Sequence, residues 1–200
     1  MKVAVVKYNA GNIQSVMNAL RRVGVDPVLT DNPVELRKAD RVIFPGQGEA
    51  SHAMEYLQTH GLDQVIKSLT QPVLGICIGQ QLMCEHSEEG NVDCLGIFPA
   101  QVLRFHPQKH EQKVPHMGWN QLENVQDPLL EGINEGAFVY FVHSFYVEPQ
   151  DSSIVAATCD YGLEFCTAIH KENLFATQFH PEKSHTAGLQ LLKNFVEWDI

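Results

Sequence analysis

The segment Gly75-Ile76-Cys77-Ile78-Gly79 constrains this chain more than any other. It is entered from the apolar run Pro72-Val73-Leu74 and followed by the helix-like stretch Gln80-Gln81-Leu82-Met83. A strand that turns at once into a helix holds the residue at the bend in strained backbone, where bulky side chains two positions either side would clash. Glycines at 75 and 79 remove the clash and expose the Cys77 sulfur. The same turn aims backbone N–H groups and the positive end of a helix at that sulfur, favouring thiolate over thiol. A lone G-x-C-x-G is a weak signal, because free cysteine is commonly a small buried hydrophobe. It gains force from His180-Pro181-Glu182, which supplies a base and a carboxylate able to orient it. It gains more from Pro45-Gly46-Gln47-Gly48, a glycine-rich turn after the apolar strand Val42-Ile43-Phe44, which is suitable material for an oxyanion hole. As a dinucleotide fingerprint that loop fails, since Gly46-Gln47-Gly48-Glu49-Ala50-Ser51 lacks the third glycine. The set reads as cysteine acyl-transfer chemistry.

Composition narrows the alternatives. Two hundred residues suit a single domain over residues 1–200, and 44% apolar with 19% charged residues is ordinary for a soluble globular protein. A net charge of −10 without a basic stripe makes nucleic acid and anionic membrane poor partners. Met1-Lys2 runs straight into Val3-Ala4-Val5-Val6, a strand rather than a signal peptide, and no apolar stretch approaches the ~18 residues of a membrane span. Five cysteines at 77, 84, 94, 159 and 166 contain no C-x-x-C pair, so a disulfide framework and a metal site are both disfavoured and a reducing cytoplasm is expected. Cys84, Cys94, Cys159 and Cys166 read as packing residues. The histidines are scattered, and His106 and His110 fall in a polar loop without ligand partners at helical spacing.

Along the chain, a strand over 3–7 leads to a helix whose apolar Ile13, Val16, Met17, Leu20 and Val23 follow the 3.6-residue period. Asp26-Pro27 introduces a short strand and Asn32-Pro33 a short helix. A strand over 41–44, a helical region near 50–69, a strand over 72–76 and a helix over 79–86 follow. Alternating strands and helices with β-branched strands predict a parallel sheet covered on both faces. Beyond Gly90, segments 95–105, 114–125, 137–147, 153–159, 163–170 and 173–179 alternate like strands, with turn signals between them. They predict an antiparallel extension of the same α/β domain. His185–Trp198 closes as a helix with Leu189, Leu192, Phe195 and Val196 inward.

Pro45-Gly46-x-Gly48, Gly75-x-Cys77-x-Gly79-x-Gln81 and Phe179-His180-Pro181-Glu182 together resemble the class I (triad) glutamine amidotransferases. Within that family, Pro115-His116-Met117-Gly118-Trp119-Asn120, Tyr140-Phe141-Val142-His143-Ser144 and the N-terminal Tyr8-Asn9-Ala10-Gly11-Asn12-Ile13 are similar to the glutaminase subunit of imidazole glycerol phosphate synthase. The resemblance runs from about residue 3 to residue 197. It implies a flavodoxin-like fold: a central, mostly parallel sheet with helices on both faces and an antiparallel extension.

The resemblance also implies roles. Cys77 attacks the side-chain amide of glutamine, His180 moves the protons and Glu182 holds His180. The oxyanion donors are the N–H of Ile78 and one from Gly46, Gln47 or Gly48. Gln81 with the backbone of Ser144 and Phe145 holds the substrate. No cofactor and no metal are implied. The implied partner is a (β/α)₈-barrel synthase subunit in a heterodimer, with Asn12, Met117, Trp119, Tyr140 and Lys183 at or near the interface, the ammonia serving histidine biosynthesis. On the residues alone, Trp119 equally suits a core aromatic, Gln81 an exposed helix residue and Lys183 a solvated charge. Rival readings are the glutaminase subunit of another amidotransferase, a stand-alone γ-glutamyl hydrolase, and a pseudo-glutaminase scaffold.

Overall fold

The computed structural model describes residues 1–8, 13–107 and 112–200. Asn12 and His110 lie outside them. The first strand, β1 (Val3–Val6), is buried at every position, as a strand covered on both faces must be. Helix α1 (Ile13–Arg22) buries Val16, Met17, Ala19 and Leu20. It stops at Gly24, whose φ of +87° lets the Val25 N–H turn back to the Leu20 carbonyl, a left-handed cap. Strand β2 (Val28–Thr30) and helix α2 (Pro33–Lys38) follow, α2 being capped by the Asn32 side chain accepting from the N–H groups of Val34 and Glu35. Strand β3 (Arg41–Phe44) leads to α3 (Ala50–Thr59) and α4 (Leu62–Lys67). The helical region expected over 50–69 is thus broken, at Gly61 with φ +66°. Strand β4 (Val73–Ile76) feeds α5 (Ile78–Leu82), shorter than the helix expected over 79–86.

The rest of the chain is mainly strand: β5 (His86–Ser87), β6 (Val92–Asp93), β7 (Ala100–Arg104), β8 (His116–Gln121), β9 (Phe138–His143), β10 (Phe145–Pro149), β11 (Val155–Asp160), β12 (Glu164–Lys171) and β13 (Leu174–Thr177), before α6 (His185–Glu197). The large sheet runs β2-β1-β3-β4-β13-β12-β10-β7-β5-β6, with β11 paired to β12. From β2 to β13 all neighbours are parallel. Beyond β13 the pairs with β12, β10 and β7 are antiparallel. This is the expected class: a parallel half with an antiparallel extension.

Two apolar clusters cover the sheet. One contains Val3, Val5, Ile43, Leu74 and Ile76 with α1 and α6; the other contains Ala4, Val6, Val42, Phe44 and Val73 with α2, α3 and α4. Successive strand residues fall in opposite clusters, so the two lie on opposite faces. In α6, Leu192, Phe195 and Val196 are buried as expected, Leu191 is buried with them, and Leu189 only packs against the cluster's rim.

The expectation of one strand over 137–147 is corrected. The chain breaks at Ser144, so that β9 pairs only with β8 in a separate ribbon while β10 joins the large sheet beside β7. The Ser144 carbonyl accepts from the Phe105 N–H at 3.0 Å at the crossing. Burial alternates along β9 but not along β10, where Phe145 and Tyr146 are both half-buried, and hydropathy alone does not mark a change of sheet.

Strands β3, β4 and β13 are adjacent, with Phe44 opposite Gly75 and Ile76 opposite Thr177. Their carboxyl ends therefore release the Gly46 loop, Cys77 and His180 side by side. The crevice outside the carboxyl ends of parallel strands is where open α/β sheets hold ligands.

Candidate active site

Cys77 adopts φ +53° and ψ −111°, a conformation costing about 1–3 kcal/mol for a residue with a side chain and tolerated only where surroundings enforce it. The enforcement is visible. Its N–H donates to the Thr177 carbonyl at 2.7 Å, and its carbonyl accepts from the N–H of Gln80 at 3.0 Å as α5 begins. The two flanking glycines are sterically required. A Cβ on Gly79 would overlap the Phe44 carbonyl oxygen, and one on Gly75 would lie 3.0 Å from the Ala176 Cβ. Gly46 is equally tight: a Cβ there would overlap the Ile78 side chain. The glycine-rich loop is thereby pressed against the N–H end of α5, which brings Gly46 and Ile78 together.

The His180 Nδ1 and Glu182 Oε1 are 2.8 Å apart, with side chains only 1% and 2% exposed. The His180 N–H donates to the Tyr140 carbonyl at 2.9 Å, and its own carbonyl accepts from the Ser184 hydroxyl at 2.7 Å. The ring is held at both backbone and side chain. Burial alone would lower the imidazole pKa. The charge and hydrogen-bonding reach of the Cys77 sulfur, then Glu182, overcome that and raise it to about 10. A protonated imidazole is the state these neighbours favour.

A cleft of about 390 Å³ opens on Cys77. Of the residues expected in the site, Gln47, Gly48, Cys77, Ile78, Gln81 and His180 line it, as do Ser144 and Phe145. Glu182 sits behind His180. Tyr140 and Lys183 stand at the rim, with the Lys183 ammonium 5.4 Å from the Tyr140 ring centre. Gln81 is 4% exposed, so the reading of it as an exposed helix residue is corrected. Trp119 is 44% exposed and stacks on His185 at 4.9 Å, which corrects its reading as a core aromatic. On the same outer face of the β8–β9 ribbon, Met117 and Phe138 are also exposed.

Two polar residues at or behind the cleft, Glu89 and Gln178, were missed from sequence. Glu89 lines the wall, its carboxylate accepting from the Ala50 N–H at 3.0 Å, with a pKa raised by burial, which that hydrogen bond only partly offsets. It lies in an acidic run that reads as solvated surface. Gln178 is fully buried and its Nε2 donates to the Cys77 sulfur at 3.7 Å. Its signal was available: it stands two positions before His180, directly after the end of β13. Among the described residues no cluster of His, Cys, Asp and Glu is arranged to hold a metal. No described helix is long and apolar enough to cross a membrane.

This arrangement can run acyl transfer: a sulfur nucleophile on a strained turn, an oriented base, and N–H donors beside both. The family model for Glutamine amidotransferase class-I matches residues 4–198. The chain belongs to the class I glutamine amidotransferases. Relatives named imidazole glycerol phosphate synthase subunit HisH include that of Bacteroides thetaiotaomicron, 59% identical over 98% of this chain and 100% of its own. The HisH of Acinetobacter baylyi is 52% identical over 100% and 99%. Among solved structures, a glutamine amidotransferase of Thermotoga maritima superposes with a TM-score of 0.70 at 16% identity, covering 98% of this chain and 96% of its own. That likeness speaks for the fold.

The amidotransferase carries a second polar network behind the cleft. The Phe145 carbonyl accepts from Gln81 Nε2 at 3.1 Å and from the His143 ring Nδ1 at 2.7 Å. A carbonyl only accepts, so His143 carries its proton on Nδ1 and presents Nε2 as an acceptor to His116 Nδ1, 2.9 Å away. His116 Nε2 then faces the Asn120 amide at 3.4 Å. Burial pushes the pKa of His116 down to about 4 and that of His143 to about 3. Both rings are neutral at pH 7, as the shared hydrogen bond requires.

Proposed function

We propose that this amidotransferase is the glutaminase subunit of an imidazole glycerol phosphate synthase, releasing ammonia from glutamine for a separate synthase subunit. The observation that carries the reading is 52–59% identity over essentially full length to subunits of that name, in a chain whose Cys77 cleft has the parts for amide hydrolysis. Glutamine enters with its side-chain amide at Cys77. Its α-amino acid end lies between the Ser144–Phe145 backbone and Glu89, whose carboxylate complements an ammonium.

The Cys77 thiolate attacks the amide carbon, and the oxyanion forms against the N–H of Ile78 and the Gly46–Gly48 loop. Such a donor is commonly worth roughly 3 kcal/mol in the barrier. The tetrahedral adduct collapses to a γ-glutamyl thioester as His180 gives its proton to the departing ammonia. His180 then takes a proton from the water that attacks the thioester carbon. The C–S bond breaks, its electrons return to sulfur, and glutamate leaves. Glu182 holds His180 in the productive tautomer throughout.

Ammonia released to bulk water is protonated and lost as a nucleophile, so the cleft mouth calls for a cover. The exposed Met117, Trp119 and Phe138 face and the Tyr140–Lys183 rim suit a partner, which we take to be a (β/α)₈-barrel synthase subunit in a cytoplasmic heterodimer. The test is glutamate release from glutamine with and without that partner and its nucleotide ligand. Low activity alone and strong stimulation by the liganded partner support the reading; high activity indifferent to the partner overturns it in favour of a stand-alone hydrolase. Cys77→Ala abolishes glutamine use while ammonia-dependent synthesis by the complex continues.

A further inference from the structure

We infer that Gln178 is a hydrogen-bond donor to the nucleophilic sulfur, locked in its donating orientation by the Phe145 carbonyl acting through Gln81. The inference rests on Cys77 being the nucleophile of the proposed reaction.

The orientation of a buried amide decides whether it helps or opposes an anion, and here the network fixes it. The Phe145 carbonyl accepts, so the Gln81 atom 3.1 Å from it is the amide nitrogen. That nitrogen spends its other N–H on Gln178 at 2.8 Å, where it must meet an oxygen. The Gln178 nitrogen is therefore the atom left facing Cys77, at 3.7 Å. A flipped Gln178 would set nitrogen against the Gln81 nitrogen and oxygen against a thiolate, losing both contacts. The backbone is fixed too, since the Gln178 N–H donates to the Thr167 carbonyl at 2.8 Å.

Both ends of this amide are spent on the site and neither on packing, which distinguishes it from a buried filler. Its chemistry also differs from that of His180. An amide N–H stabilises a sulfur anion and has no proton to give up, so the thiolate is favoured without competing for the proton that His180 must deliver. The contact strengthens whenever sulfur carries charge: before attack, and again as the C–S bond of the thioester breaks.

The experiment is alkylation of Cys77 by iodoacetamide in the intact chain, followed residue by residue by mass spectrometry from pH 5 to 10. The other cysteines do not compete: Cys84 is pushed well up by burial, and Cys94, Cys159 and Cys166 up to about 12. Gln178→Leu, which removes the donor, lowers the rate at pH 6 by about tenfold and leaves the high-pH rate unchanged. Gln178→Glu keeps the shape and the acceptor for Gln81 and lowers the pH 6 rate further. A folded variant with the wild-type profile overturns the inference. In the wild-type chain, the Gln178 side-chain amide signals in a proton–nitrogen spectrum move with pH in step with Cys77 alkylation; signals that ignore it overturn the inference without any variant. Alkylation needs no glutamine. A chain that alkylates as expected but turns over no glutamine even with the liganded synthase partner therefore refutes the proposed function and leaves the Gln178 contact standing.

Discussion

His116 and His143 share a hydrogen bond of 2.9 Å in which neither ring can take a second proton without losing a partner. Phe105, Phe141, Phe165 and Tyr161 pack around the pair, and Asn120 and the Phe145 carbonyl close its two ends. The folded pKa values, about 4 and about 3, lie below the unfolded value near 6.5. Between these limits the unfolded chain binds protons that the folded chain excludes, so stability is fully present above pH 6.5 and is lost as pH falls toward 4. Denaturant unfolding at pH 7, 6 and 5 will show this decline, and His116→Gln will flatten it. A wild-type curve level across this range would refute the assignment of two neutral rings.

The opposite limb belongs to His180. Its folded pKa is raised, to about 10, so the stability it contributes is complete below pH 6.5 and is lost as pH rises through 10. Glu182→Gln keeps the shape but gives up the charge. The expected result is a fall in glutamine kcat of about 10²–10⁴-fold together with a weaker alkaline loss of stability. Steady-state glutamate release and unfolding at pH 7 and 9 measure both.

Gln80 is fully buried, and among the described residues neither its amide nitrogen nor its oxygen has a hydrogen-bond partner. An unsatisfied buried polar group costs about 1–3 kcal/mol, and methionine has a similar volume with no such group. Gln80→Met is expected to stabilise the fold by about 1–3 kcal/mol in urea unfolding, with glutaminase activity retained.

Gly79 has no room for a methyl group, since the Phe44 carbonyl occupies that space. Gly79→Ala must push β3 and α5 apart and is expected to cost at least about 2 kcal/mol of stability. It will also lower activity by more than tenfold, because the displaced loop carries the proposed oxyanion donors. Gly48→Ala is the contrast: among the described residues nothing lies within 4 Å of its Cβ position, but φ is +126°, so its cost is conformational.

The parallel half of the sheet was legible because its strands are apolar on both faces and punctuated by loops, which binary patterning encodes directly. The proposed nucleophile, base and orienting carboxylate stood out for a different reason: tight turns demand glycine, and glycine at 75 and 79 is visible as a letter. The break at Ser144 left no comparable mark, because Phe138–His143 and Phe145–Val147 form one continuous aromatic and β-branched run, and what separates β9 from β10 is which neighbour each pairs with. Glu89 was hidden by its acidic surroundings. The orientation of Gln178 depends on a main-chain carbonyl 33 positions away in sequence, and no local pattern carries that. Trp119 shows the converse limit: an aromatic in a strand reads as core until the ribbon's outer face is seen to be open.

β13 lies between β4 and β12, although residues 77–173 separate it from β4 in the chain. Any nascent segment that stops short of residue 174 leaves β4 with an unpaired apolar edge, and such edges associate readily with one another. The closure is long-range and therefore slow relative to the local helices. The same strand delivers His180 to the Cys77 cleft, so a half-made chain holds the proposed nucleophile without its proposed base. Chemical competence and protection from aggregation arrive in a single folding event.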